Sequence, residues 1–309
     1  MGTKIGRSTP VSNQVEVTDV FLRDGLQDEP VVVATADKLR IAEALRRAGF
    51  RRIEAASFVN PKRVPQMADA EAVFASRPEG GPSWSALALN GRGIARALDA
   101  GARDIQIVAS ASAAHSAANA GRSTEQALEE LREQVAAARA EHPDVRFHAG
   151  VSTAFTCPYE GEVPKERLLG IVDRFAAMGV HELGLADTLG NTPPERVMES
   201  VEHVRRAHPE LRYSLHLHNA HGRALETVTA AVEAGITRFD AALGGYGGCP
   251  FAPGAAGNLA SHALVAHLHS LGAETGIDEQ LLAEATSLAR AAVAAATPVP
   301  TTAPKGARR

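Results

Sequence analysis

Arg212-Tyr213-Ser214-Leu215-His216-Leu217-His218 is followed by Asn219-Ala220-His221 and then, from Gly222, by a helical run that ends at Ala234-Gly235. This one unit decides the fold. Its first part reads as a strand, and successive strand side chains point to opposite faces, so His216 and His218 share a face. Its second part carries a helical pattern. Gly235 stands where a helix stop needs a left-handed residue. The next β-rich run, Arg238–Ala241, begins directly afterwards.

The same unit recurs in both directions. Strands are expected at 14–20, 52–56, 83–89, 104–108, 145–151, 182–185, 212–218 and 238–241. Helices are expected at 36–48, after Val64, and at 93–100, 123–141, 164–178, 193–207, 222–234 and 258–271. A last amphipathic helix is expected over 278–296. Gly49, Gly101 and Gly179 repeat the punctuation of Gly235, each after a helix and before a strand. Eight strand-then-helix units without a break in composition predict an α/β fold of the (β/α)8 TIM barrel type. A doubly wound open sheet is the rival, but no GxGxxG or P-loop follows the first strand. The expected organisation is a barrel over 14–271, a C-terminal helical extension over 272–296, and loose tails at 1–13 and 297–309.

Composition narrows the function classes. The chain has 309 residues, 45% of them hydrophobic, enough for a large core. A net charge of −4, no basic block and only 4% aromatic residues argue against a nucleic-acid partner. Two cysteines, Cys157 and Cys249, are not a disulfide framework and fit a reducing, cytoplasmic setting. No apolar run approaches the roughly 20 residues of a membrane span. Residues 1–12 lack the apolar core of a signal peptide.

In this barrel the chemistry belongs to the loops after the strands. After the first strand comes Phe21-Leu22-Arg23-Asp24-Gly25, with a fixed cation beside a hard oxygen donor; the plainer alternative is an Asp-Gly turn with a solvated Arg. Glu54 sits inside the apolar second strand, so it must point into the barrel mouth or be paired. Asp187 follows the sixth strand, where it can orient a ligand or cap the next turn. After the eighth strand, glycines crowd the loop around Cys249, a candidate acid, base or nucleophile. Asn258 ends that loop, as a carbonyl donor to a metal or as an ordinary N-cap. Asp24, His216, His218 and Asn258 together offer two nitrogens and two oxygens. That mixed set suits Mg²⁺, Mn²⁺ or a similar octahedral divalent ion.

Several runs carry a resemblance. They are Arg23-Asp24-Gly25-Leu26-Gln27, Ile53-Glu54-Ala55 with Ser57-Phe58-Val59, and Val64-Pro65-Gln66-Met67-Ala68-Asp69. Further on come Cys157-Pro158-Tyr159-Glu160-Gly161, Asp187-Thr188, His216-Leu217-His218, and Gly247-Gly248-Cys249-Pro250 through Gly257-Asn258-Leu259. From about residue 15 to 270 the chain resembles the 3-hydroxy-3-methylglutaryl-CoA lyase family, within a wider group of metal-dependent barrel lyases and acyl-transfer synthases. The resemblance implies a divalent cation on Asp24, His216, His218 and Asn258. It implies retro-aldol cleavage of a 3-hydroxyacyl thioester to acetyl-CoA and a 3-oxo acid. Arg23 would stabilise the thioester enolate, His216 and Cys249 would handle protons, and Glu54 and Asp187 would support the site. Gln27, Ser57, Asn119 and Ser123 are implied as substrate-binding positions, and a homodimer as the assembly.

The chain also departs from that pattern. Asn219-Ala220-His221-Gly222 stands where Asp-Thr-Tyr-Gly is usual. Ala118 and Pro30 occupy places where lysines would meet CoA phosphates, so Arg122 and Lys62 are the substitutes. His115 is unusual for the family; it either meets a different acyl group or is a polar loop residue. The alternatives are a related lyase or aldol- or Claisen-type enzyme of the same family on a different hydroxy acid, with or without CoA, and a barrel without catalysis.

Overall fold

The computed structural model describes residues 13–248 and 256–299. Eight parallel strands close on themselves: β1 (Glu16–Asp19), β2 (Arg52–Ser57), β3 (Ser83–Leu87), β4 (Asp104–Ser110), β5 (Arg146–Ser152), β6 (Glu182–Asp187), β7 (Arg212–Leu217) and β8 (Arg238–Ala241). Each strand pairs with its neighbours in sequence, and β1 closes the ring against β8 and β2. The (β/α)8 expectation is therefore correct.

The outer layer comprises α1 (Thr35–Ala48), α2 (Ala70–Ser76), α3 (Gly91–Asp99), α4 (Ala113–Ala120), α5 (Thr124–Glu141), α6 (Lys165–Ala177), α7 (Pro194–Ala207), α8 (Ala224–Glu233), α9 (Ser261–Ser270) and α10 (Glu279–Ala295). All four punctuating glycines are left-handed, with φ of 98° at Gly49, 85° at Gly101, 73° at Gly179 and 81° at Gly235. This is the conformation that glycine adopts without a Cβ penalty.

Alternation places Leu215 and Leu217 in the core between sheet and helices, and turns the intervening residues into the barrel. The lumen is unusually polar. At the strands' N-terminal ends Glu182 pairs with Arg52 and with Arg238, and Arg238 also reaches Glu16 at 2.7 Å. Thr18, Ser85 and Ser214 line a small cavity above this cluster. Charges at this depth need partners, and the ring of acids and arginines supplies them.

Two expectations change. α4, which the alanine-rich run 113–120 hides, adds a helix between β4 and α5. The C-terminal tail is not wholly loose, because Thr297–Pro298 pairs antiparallel with Val31–Val32. The terminal helix α10 packs its buried stripe, including Leu282, Ala285, Ala289 and Ala292, onto the body of the barrel, mainly at α1. That stripe is spent within the chain and is not left for a partner.

Gly49 tests this packing. A Cβ there would lie 2.3 Å from the Gly276 carbonyl oxygen, on a backbone with φ of 98°. Gly49→Ala is expected to lower the unfolding free energy by about 2 kcal/mol or more. Urea unfolding followed by circular dichroism measures it.

Candidate active site

The site begins where β1 ends. Instead of a simple turn, Phe21–Gly25 forms one turn of π-helix, in which the Gly25 N–H donates to the Val20 carbonyl at 3.1 Å. Such turns recur at functional sites. This one sends both Arg23 and Asp24, adjacent in sequence, over the barrel mouth.

Arg23 is 8% exposed and clamped from two sides. Its Nε and Nη2 donate to the two oxygens of Glu54 at 2.9 Å each, and its Nη1 donates to Asp24. Glu54 is thus paired, which resolves the puzzle of an acid inside an apolar strand. Burial works against every charge in this trio, but the pairing prevails at Arg23 and Asp24. The Arg23 guanidinium is held charged by Asp24 and Glu54. Asp24 falls to about 2 because Arg23, then His216 and His218, outweigh its burial. Glu54 moves the other way, since its burial outweighs Arg23. A guanidinium has five N–H donors, so some of those on Arg23 remain for a ligand.

The two histidines stand opposite. His216 Nδ1 is 3.2 Å from Asp240 Oδ2, and His218 Nδ1 is 2.8 Å from the Ala256 carbonyl oxygen. These contacts turn both Nε2 atoms inward, 3.2 Å apart, with Asp24 Oδ2 3.9 Å from that of His216. Burial and the neighbouring His216 push His218 down to about 4, so its ring is neutral at pH 7. Burial lowers His216, yet Asp240 and Asp24 carry it above the ordinary histidine range.

Asn258 arrives from the last loop. Residues 256–259 run beside the end of β7, with Leu259 N–H donating to the Leu217 carbonyl at 2.9 Å. Asn258 does not cap α9, whose N-cap is Ala260. Its Nδ2 donates to Asp24 Oδ2 at 2.7 Å and to the Tyr246 carbonyl at 2.9 Å, which leaves Oδ1 as the acceptor end. Gly247 allows this closeness: a Cβ there would sit 2.5 Å from Asn258 Nδ2.

The donors fit a divalent cation. One ligand atom from each of Asp24, His216 and His218 lies within 4.8 Å of the others. Both imidazoles are oriented through their remote nitrogens, the usual outer support of a metal-ligating histidine.

The other expected residues divide. Gln27 and Asn119 line the mouth cavity, an open cleft that Arg23, Asp24, His216 and His218 also line. Gln27 Oε1 is buried with no hydrogen-bond partner among the described residues. His115 also lines the cavity, so it is more than a loop residue. Asp187 instead organises its own turn, accepting from Thr192 N–H at 3.1 Å and Thr192 Oγ1 at 2.8 Å. That turn seats Thr188 in the cavity wall. Ser57 is fully buried away from the wall, and Ser123 builds a capping box with Gln126 at the start of α5. Neither Ser57 nor Ser123 reaches the cavity. Cys249 falls outside the described residues. Asp240, Gln106 and Ser152 are additions that the sequence did not single out. A lone inward acid on a strand, as at Glu54, was the available signal for Asp240.

The HMGL-like family matches residues 14–289. The chain belongs to that family. It is 36% identical over 278 residues to a hydroxymethylglutaryl-CoA lyase of Bacillus subtilis, covering 89% of this chain and 92% of the relative. It is 38% identical over 283 residues to the (R)-citramalyl-CoA lyase of Chloroflexus aurantiacus, covering 88% and 89%. An HMG-CoA lyase structure from Acinetobacter baumannii, in complex with coenzyme A and 3-methylmalate, superposes with a TM-score of 0.87 at 36% identity, over 98% of this chain and 99% of that one. The class of this HMGL-like chain is that of the carbon–carbon lyases. No helix among the described residues is long and apolar enough to cross a membrane.

Two outcomes are expected. Arg23→Met leaves Glu54 and Asp24 buried without their cation, and should cost about 3–5 kcal/mol of stability by chemical denaturation. Asp24 is depressed in the folded state, so its contribution is present above an ordinary carboxylate pKa of about 4 and fades as pH falls through about 2. Metal-free protein should lose about 2 kcal/mol across that window on this account, and Asp24→Asn should flatten that part of the curve.

Proposed function

We propose that the chain cleaves the C2–C3 bond of a 3-hydroxy-3-methylglutaryl-CoA-like thioester, with a divalent cation, Mg²⁺ or Mn²⁺, on Asp24, His216, His218 and Asn258. The observation that carries this reading is the convergence of a clamped guanidinium and three cation donors on one cavity at the strands' C-terminal ends. A retro-aldol step needs those two things: an electron sink at the thioester and a polarised hydroxyl opposite it.

The cation supplies polarisation of the substrate's hydroxyl oxygen. The chain's residues do the rest. His216 would hold the cation through Nε2, with Asp240 steadying the ring behind Nδ1, so the hydroxyl proton passes to water in the cavity rather than to that nitrogen. As the C2–C3 bond breaks, its electron pair moves into the thioester, and the free N–H groups of Arg23 meet the developing enolate oxygen. Glu54 fixes the guanidinium plane for that contact. Cys249 is the proposed proton donor to C2, which completes acetyl-CoA and releases a 3-oxo acid.

CoA recognition rests on Arg122. Its Nη2 donates to the carbonyl of Leu89, a cavity residue, at 3.1 Å, and this holds the cation beside the rim although the expected lysines are absent. The similarity to the (R)-citramalyl-CoA lyase favours a second reading, the same chemistry on a different 3-hydroxyacyl thioester. A homodimer is proposed from the family resemblance alone.

The test incubates the protein with 3-hydroxy-3-methylglutaryl-CoA and Mn²⁺ and follows acetyl-CoA by mass spectrometry. Cleavage is expected, lost with chelator and reduced about a hundredfold to a thousandfold in Asp24→Ala and Arg23→Met. Bound Mn²⁺ without cleavage of any 3-hydroxyacyl thioester would sink the lyase reading.

A further inference from the structure

The mouth cavity has two unlike sides. On one, the polar atoms of Arg23, Asp24, His216 and His218 pair with one another or converge on the cation position. The other side belongs to β4, β5 and α4, where Gln106, Ser152 and His115 set polar groups beside Val108, Gly150 and Val151.

Gln106 can lie across the barrel because Gly150, on the adjacent strand, has no side chain. A Cβ at Gly150 would sit 3.0 Å from Gln106 Nε2 and 3.2 Å from Val108 Cγ2. Ser152 lies one step further up β5, in register with Ser110. Among the described residues, neither the Gln106 amide nor the Ser152 hydroxyl has a hydrogen-bond partner. His115 is 1% exposed, and its Nδ1 lies 3.0 Å from Ser110 Oγ, which is itself 2.8 Å from Thr153 Oγ1. Burial lowers its pKa, so the ring is uncharged at neutral pH.

This wall therefore mixes polar groups with the apolar Val108 and Val151 and carries no charge. Arg23 is the one lysine or arginine lining the cavity among the described residues, and Glu54 and Asp24 already hold it. A carboxylate against Gln106 and Ser152 would meet no cation. An alkyl group set against the amide and the hydroxyl would strip water from both and leave them unpaired.

We infer that the branch at C3 of the natural substrate carries an uncharged hydrogen-bonding oxygen, a hydroxyl or carbonyl, which meets the Gln106 amide and the Ser152 hydroxyl. The inference rests on the lyase reading and names its substrate class. A site built to hydrogen-bond a group rejects the analogue that lacks it far more strongly than an apolar pocket separates two alkyl groups.

The experiment compares kcat/KM for 3-hydroxy-3-(hydroxymethyl)glutaryl-CoA and 3-hydroxy-3-methylglutaryl-CoA, with Mn²⁺ present, in the wild type, Gln106→Leu and Ser152→Ala. The wild type should favour the hydroxymethyl compound by about a hundredfold. Gln106→Leu should bring that ratio close to one, and Ser152→Ala should lower it about tenfold. The wild-type ratio and the milder Ser152→Ala decide the matter even where Gln106→Leu does not fold. A wild-type ratio of one or below, or variants that lower both rates in equal proportion, would overturn the inference and leave the lyase reading standing. Cleavage of neither compound by Mn²⁺-loaded protein would overturn both.

Discussion

Everything at the mouth of this barrel depends on one buried ion cluster, the grip of Glu54 and Asp24 on Arg23. Each member alone would be costly so far from water. Together they fix the guanidinium plane, keep Asp24 ionised and leave part of the fork of donors open. Asp24 then joins the cluster to Asn258 and faces His216, so the arginine clamp and the cation donors are a single network. The π-turn after β1 is what allows one acid to serve both.

The second level of control is outer support. Asp240 and the Ala256 carbonyl orient the histidines, Asp187 shapes the turn beside them, and Gly190 lets that turn close on the His218 carbonyl, where a Cβ would come within 2.5 Å. None of these groups is expected to touch a reacting atom except through its neighbour. Their placement follows from strand register, which puts His216 beside Asp240 and Ala186 on adjacent strands.

The barrel was legible because its signals are local. Left-handed glycines after helices, and apolar strands between them, need no knowledge of the partner strand. The histidine pair and the Arg23-Asp24 couple were legible for the same reason, since each is a short run with its own geometry. Asp240, Gln106 and Ser152 were not singled out. Each is a single polar residue in a strand; Asp240 carried the signal of an isolated strand acid, whereas for Gln106 and Ser152 only closure of the ring reveals that they face a cavity. Ser123 shows the converse: Ser-x-x-Gln is a capping box, and the structure uses it as one. α4 was hidden because alanine and serine give no apolar stripe to read.

The central claim is that both histidines and the acid beside Arg23 hold one divalent ion. Electron spin-echo modulation on the Mn²⁺-loaded protein tests it most directly, because it counts imidazole nitrogens bound to the ion. Two coupled nitrogens are expected, falling to one in His218→Ala. A bound Mn²⁺ with no nitrogen coupling would place the ion elsewhere and contradict the account.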